Sequence, residues 1–322
     1  MKFTKYLLIL LTVLCSSCAS LDISSLFESP LREHVYQRES RFADDEILII
    51  NMSGFIYSGK SRSLFSAGTT PDGIKKMLVK AQANRDLKAV ILRINSPGGE
   101  VTATDMIHHE LLLFKKRTGI PVYAIILSMG ASGGYYLATA ADEIYAHPTS
   151  ILGSIGVIVK LPQIEKLANK IGYEEVIIKS GKNKDMGNSL KKLPEDQRKI
   201  FQNMVDSMYQ RFISVVLHNR PGITSREDLI KIADGRVYTP EESLKHKLID
   251  KIDYLPELIR DIKKKHELGN VRVYTYAYGR GYNANIYSRL NELKAPQINL
   301  INIDMNSFFN TQAGFYYVWF PG

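Results

Sequence analysis

The apolar run at residues 122–127 stops at Ser128-Met129-Gly130-Ala131-Ser132-Gly133-Gly134, and the stretch 135–141 follows at once. A short β-forming run bounded by glycines reads as a buried strand, and Tyr-Tyr-Leu-Ala-Thr-Ala-Ala after it reads as a helix. The same construction precedes it: strand 89–94, the turn Asn95-Ser96-Pro97-Gly98-Gly99, then a helix over 102–117. In that helix Met106, Ile107, Leu111 and Phe114 fall near helical spacing, and Thr102 or Thr104 can cap it. Strands that alternate with helices specify a layered α/β fold with parallel pairing.

Further elements continue the pattern. Strands are expected at 46–52, 143–146, 155–159 and 175–179. Helices are expected at 72–84, where Pro71 suits the first turn, and at 162–171, 194–218, 226–232, 240–246 and 255–266. Residues 53–71 carry glycines and serines and read as a loop or flap. No fixed-period repeat is present. The compact pattern spans 46–265.

Ser132 sits where chemistry is possible. Small neighbours let the backbone turn sharply and let a substrate reach the hydroxyl, and a helix N-terminus favours developing negative charge. A nucleophilic serine fits this position, as does a tight packing turn without chemistry. The Pro97-Gly98-Gly99 turn can leave backbone N–H groups free, and an oxyanion hole needs two rigid donors of that kind.

A serine nucleophile needs a base. The chain's seven histidines are His34, His108, His109, His147, His218, His246 and His266, and no sequence context singles one out. His108 and His109 are expected at a helix surface. Lysine is the other option, and Lys179, Lys182 and Lys184 lie together in the loop after strand 175–179. A catalytic lysine must be desolvated and hydrogen-bonded to a neutral hydroxyl. An exposed basic loop is the plain alternative.

The N-terminus carries Lys2 and Lys5, an apolar run over 6–14, then Cys15-Ser16-Ser17-Cys18-Ala19-Ser20. That is the layout of a secretory signal, and the run is short for a membrane span. It resembles a bacterial lipoprotein signal over 1–17, with Cys18 lipidated as the first mature residue, although Cys15 stands where leucine is preferred. Both cysteines lie in this N-terminal segment; with cleavage before Cys18 the mature chain keeps one, so no internal disulfide and no cysteine pair for a metal are expected. Residues 18–45 read as a tether. The net charge of +9 is scattered in short clusters without interleaved aromatics, which argues against nucleic acid and fits an anionic membrane surface.

Five ordered motifs give the chain a resemblance to the signal peptide peptidase A (SppA) family of serine-lysine peptidases. They are Asn95-Ser96-Pro97-Gly98-Gly99, the run 129–136, Leu152-Gly153-Ser154-Ile155-Gly156-Val157, Ile178-Lys179-Ser180-Gly181 with Lys184-Asp185, and Ala233-Asp234-Gly235-Arg236-Val237-Tyr238. The resemblance implies a Clp/crotonase-like layered α/β fold of strand-strand-helix units in a single main domain. It implies Ser132 as nucleophile, Lys184 as general base, Ser154 as the serine that hydrogen-bonds the lysine amine, and the N–H groups of Gly99 and Gly133 as oxyanion donors. It implies no cofactor and no metal. The implied substrates are apolar peptides, residual signal peptides above all, cleaved outside the cytoplasm at the membrane of a bacterial cell envelope. It also implies a homo-oligomer in which a neighbouring subunit supplies the lysine.

Two rival readings remain. Gly130-Ala131-Ser132-Gly133-Gly134 also satisfies the G-x-S-x-G elbow of α/β-hydrolases, which would require a histidine such as His218 or His246. A catalytically silent membrane-surface scaffold could keep the same fold. The aromatic segments 274–278 and 315–320 fall in a C-terminal extension, 266–322, that the motifs do not cover; packing or assembly is expected of them.

Overall fold

The computed structural model describes residues 31–59, 68–278, 285–287 and 313–319. The leader and Cys18 lie outside the described residues. In chain order the elements are β1 (Leu31–Arg38), β2 (Asp45–Ser53), α1 (Pro71–Gln82), β3 (Leu87–Ser96), β4 (Gly98–Glu100), α2 (Val101–Thr118), β5 (Val122–Ala131), α3 (Gly133–Ala138), β6 (Glu143–Ala146), β7 (Ile151–Gly153), β8 (Ile158–Lys160), α4 (Glu165–Lys170), α5 (Glu195–Asn219), α6 (Arg226–Ile232), β9 (Val237–Tyr238), α7 (Pro240–Lys245), β10 (Lys251–Ile252), α8 (Leu255–Lys265), β11 (Val271–Tyr278) and β12 (Gly314–Val318).

The main sheet runs β1-β11-β2-β3-β5-β6-β10, with β7 branching from β5 and β9 from β7; its pairings are parallel except β1 with β11 and β7 with β9. Both faces are covered, which is why the central strands read as unbroken apolar runs rather than alternating ones. The alternation is present in space: Leu48, Ile50, Val90, Leu92, Ala124 and Ile126 enter one core. Ile47, Ile49, Ala89, Ile91, Tyr123 and Ile125 enter the other, beneath Leu255, Leu258, Ile259 and Ile262 of α8. Together these make the mostly parallel, layered α/β fold that the motifs imply.

Several expectations change. The segment 175–179 is not a strand: it has no regular structure and no pairing, leaving Val176 88% and Ile178 97% exposed. Its β-forming composition needs a neighbouring strand, and the described residues of this chain provide none. Regular pairing near 155–159 is confined to β8, while β7 begins four residues before the expected strand and pairs with β5. The expected helix 162–171 contracts to α4. Neither Thr102 nor Thr104 caps α2; Glu100 is the N-cap, without a side-chain capping bond, and Thr104 donates back to the Glu100 carbonyl (2.8 Å). Thr70 caps α1 by accepting from Gly73 N–H, with Pro71 in the first turn.

One side of the sheet also extends outside 46–265. Residues 31–38, read within a tether, form β1, and residues 271–278 form β11, inserted between β1 and β2. Polar alternation on an edge strand and a tyrosine-rich strand both lack the aliphatic run that marks the central strands.

Candidate active site

Ser132 joins β5 to α3 with φ 51° and ψ −113°, and only 1% of it is exposed. A non-glycine residue in this region costs on the order of 1–3 kcal/mol and persists only where neighbours impose it. The neighbours are visible. β5 pairs with β7 at Met129–Ile151, Gly130–Leu152 and Ala131–Gly153. Ser132 N–H then donates to the Gly153 carbonyl (2.7 Å), and the Ser132 carbonyl accepts from Tyr136 N–H (2.9 Å), starting the helix. Ser154 follows directly, itself at φ 49°, with its N–H donating to the Arg236 carbonyl (2.7 Å). The two serines are thus held side by side through Gly153. Among the described residues nothing hydrogen-bonds the Ser132 hydroxyl.

The second turn meets the first. Ser96, fully buried, donates to the Gly54 carbonyl (2.6 Å) and accepts from Gly98 N–H (3.1 Å). Ile56 N–H donates to the Gly98 carbonyl (3.0 Å), and Glu100 N–H donates to the Ile56 carbonyl (2.8 Å). Gly98 has φ +100°, and a Cβ there would lie 2.6 Å from Gly133 N. A Cβ on Gly99 would lie 2.0 Å from the Ile56 carbonyl oxygen. Only glycines allow this approach, and it brings the turn that carries Gly99 against Gly133, the residue after Ser132.

Lys184 is elsewhere. It lies exposed on the irregular segment between α4 and α5, and its N–H donates to the Gly181 carbonyl (3.1 Å). Its amine contacts neither Ser132 nor Ser154. The other two lysines of the loop are engaged: Lys179 pairs with Asp185, and Lys182 with Asp196 (2.6 Å). Hydrogen bonds from Lys179 and Lys191 hold the Asp185 carboxyl down at about 2. Among the described residues, Lys184 has no carboxylate partner, which distinguishes it from Lys179 and Lys182.

No histidine reaches the site. His218 is exposed at the end of α5, and His246 packs edge-on against Tyr238 (5.3 Å between centroids). His108, expected at the surface, is only 2% exposed. It contacts Thr139 Oγ1 (3.2 Å) and the Tyr136 ring (5.0 Å), and desolvation lowers its pKa to about 4. A single apolar neighbour in sequence, Ile107, gave no hint that α3 covers this face of α2. The residues arranged by the fold therefore offer no Ser-His pair.

Three participants escaped the sequence reading. Ser96 anchors the glycine turn; a serine before Pro-Gly-Gly is a local signal for such a side-chain-to-backbone bond. Thr104 lies against Gly133, with its Oγ1 3.0 Å from where a Cβ would stand. β12, within the aromatic segment 315–320, gave no local sign of its partners: it pairs with β4 and with β8 as the middle strand of a three-stranded sheet beside the turn.

A nucleophile-like serine on a strained strand–helix turn, backed by two glycine turns in an α/β layer, is the arrangement of a serine hydrolase. The model of peptidase family S49 matches residues 114–269. A putative signal peptide peptidase SppA of Enterococcus faecium is 32% identical over 239 residues, covering 74% of this chain and 69% of that protein. Protease 4 of Haemophilus influenzae is 32% identical over 230 residues, covering 71% of this chain and 35% of that longer protein. The chloroplastic serine protease SPPA of Arabidopsis thaliana is 30% identical over 223 residues, which is 32% of its length. The chain belongs to peptidase family S49 and, within it, to the SppA group of serine peptidases.

Proposed function

We propose that this chain is an endopeptidase that cleaves apolar, extended peptides at a membrane surface, residual signal peptides among them, with a Ser132–Lys184 dyad completed between two copies. The observation that carries the reading is an asymmetry. Ser132, Ser154 and the turns that carry Gly99 and Gly133 converge within one chain, whereas Lys184 stands exposed and, among the described residues, without a carboxylate partner, on the segment between α4 and α5 that also exposes Val176 and Ile178. An unengaged amine and apolar side chains exposed along one segment are what a second copy would cover, and covering them would desolvate the amine.

In this mechanism neutral Lys184 of the second copy, hydrogen-bonded to Ser154 Oγ, takes the proton from Ser132 Oγ. The alkoxide attacks the peptide carbonyl, and the N–H groups of Gly99 and Gly133 stabilise the oxyanion. Lys184 returns the proton to the leaving amine, and water activated the same way hydrolyses the acyl-enzyme. No step uses a cofactor or a metal. The scattered positive charge, +9 over the chain, supports residence at an anionic surface, and a lipidated Cys18 would anchor it there.

The test is cleavage of a synthetic signal peptide by the purified protein, beside Ser132→Ala and Lys184→Ala. Loss in both, with both folded, is the expected result. Loss only in Ser132→Ala would remove the lysine from the mechanism.

A further inference from the structure

Residues 152–157 and 233–238 pack against each other behind the two serines. β7 pairs antiparallel with β9, Leu152 opposite Tyr238 and Gly153 opposite Val237. A Cβ on Gly153, at φ +85°, would lie 3.1 Å from the Arg236 carbonyl oxygen, and one on Gly156 would lie 3.4 Å from Gly235 Cα. A single peptide group, the one joining Gly153 to Ser154, is clamped at both of its polar atoms. Its oxygen accepts from Ser132 N–H (2.7 Å), and its N–H donates to the Arg236 carbonyl (2.7 Å). Ser132 is held by further bonds and by the glycine turns. Ser154 depends on this clamp for its φ of 49°. A side chain starts where its backbone puts it, so the Arg236 carbonyl decides where Ser154 Oγ can reach.

The Arg236 carbonyl is itself held by a short turn. Asp234 Oδ1 accepts from Arg236 N–H (3.2 Å), and the Asp234 carboxylate takes Arg236 Nε on both oxygens (2.8 and 2.9 Å). Gly235 between them has φ +90°, a conformation that suits glycine. From behind, Tyr209 of α5 donates to the Ala233 carbonyl (2.7 Å) and Tyr238 donates to the Ile232 carbonyl (2.8 Å). The Arg236 and Asp234 side chains are 61% and 43% exposed, and an ion pair so open to water adds little to stability. Its bidentate form fixes a conformation instead.

Taking the serine–lysine reading of the site as its basis, we infer that Asp234 and Arg236 are positioning residues for Ser154. Their side chains shape residues 234–236 into the turn that presents the Arg236 carbonyl. That carbonyl holds Ser154 in the left-handed conformation from which its hydroxyl meets the Lys184 amine of the second copy.

The experiment is a double-mutant cycle on the full-length chain, with a synthetic signal peptide as substrate. Asp234→Ala should lower kcat about tenfold and leave KM unchanged, since small misplacements of a working group act on the chemical step. Asp234→Asn, which can still accept from Arg236 N–H, should recover most of the loss. In a Ser154→Ala background Asp234→Ala should cost less than twofold, because the group it positions is gone. Lys231→Ala, which removes the neighbouring exposed pair with Asp228, should leave kcat unchanged. Full kcat in Asp234→Ala would overturn the inference, as would an equal tenfold loss with and without the Ser154 hydroxyl. Hydrogen exchange of the Ser154 amide reads the clamp independently of activity: exchange no faster in Asp234→Ala than in the parent protein would overturn the inference as well. Activity retained by Lys184→Ala would instead defeat the serine–lysine reading, and it is read from a different variant.

Discussion

The two halves of the candidate site are built in opposite ways. The Ser132 half is buried, strained and over-determined: β7 fixes the turn from one side, the Ser96-anchored glycines press on it from the other, and every glycine in contact is there because a Cβ has no room. The Lys184 half is a loop without regular pairing, held by ion pairs through Asp185 and flanked by exposed Val176 and Ile178. A fold can hold backbone donors and a hydroxyl in place by itself. A neutral lysine needs desolvation, which this exposed loop does not itself supply.

That contrast can be broken most directly at its centre. Ser132→Ala and Lys184→Ala should each lower kcat/KM on the order of a thousandfold or more. A one-to-one mixture of the two should recover about a quarter of wild-type activity if subunits of a closed ring mix at random. A mixture as inactive as its parts would place both groups in one chain.

The buried half should be sensitive to pH where the loop is not. His108 has a folded pKa near 4, against an ordinary 6.5, because desolvation disfavours its charged form. A depressed histidine stabilises the fold fully above about 6.5, and the contribution is lost as pH falls from there towards 4, about 3 kcal/mol in all. The urea midpoint should therefore drop between pH 7 and pH 4.5, and His108→Gln should flatten that drop. Asp185, held down at about 2 by Lys179 and Lys191, should keep the loop's ion pairs over the same range.

Gly98→Ala tests the meeting of the turns. Its Cβ would strike the Tyr317 carbonyl and Gly133 N at a residue with φ +100°, so kcat should fall about a hundredfold. Gly119→Ala, at φ +70° with open space around it, should cost only about 1 kcal/mol of stability and leave kcat unchanged. Equal effects at both positions would mean backbone strain alone is being measured.

The smallest effect belongs to the apolar patch. Val176→Asp with Ile178→Asp should shift the protein to smaller species in sedimentation and reduce specific activity about tenfold at fixed concentration, while the melting temperature of the monomer stays within a few degrees. An unchanged assembly would remove the patch from the interface.

Much of the Ser132 half was legible before any coordinates, because its signals are local. An apolar run, two glycine turns and the helices after them each declare themselves within about ten residues. His108 and the strand 175–179 were misplaced because burial and pairing depend on neighbours distant in sequence. β1 and β11 were missed for the same reason, and β12 most of all: nothing in Gly-Phe-Tyr-Tyr-Val names Gly98 as a partner.

The sequence by itself determined the layered α/β class, the position of Ser132 on a strand–helix turn and the family to which the chain belongs, since patterning and motif order are properties of the linear chain. Only the tertiary structure decided which glycine turns touch, that Ser154 lies beside Ser132 through Gly153, that Lys184 faces outward, and that the C-terminal strand lies between β4 and β8. The physical reason is that these are contacts between segments far apart in the chain. They are settled by what the packed sheet brings together and not by any residue's own preference.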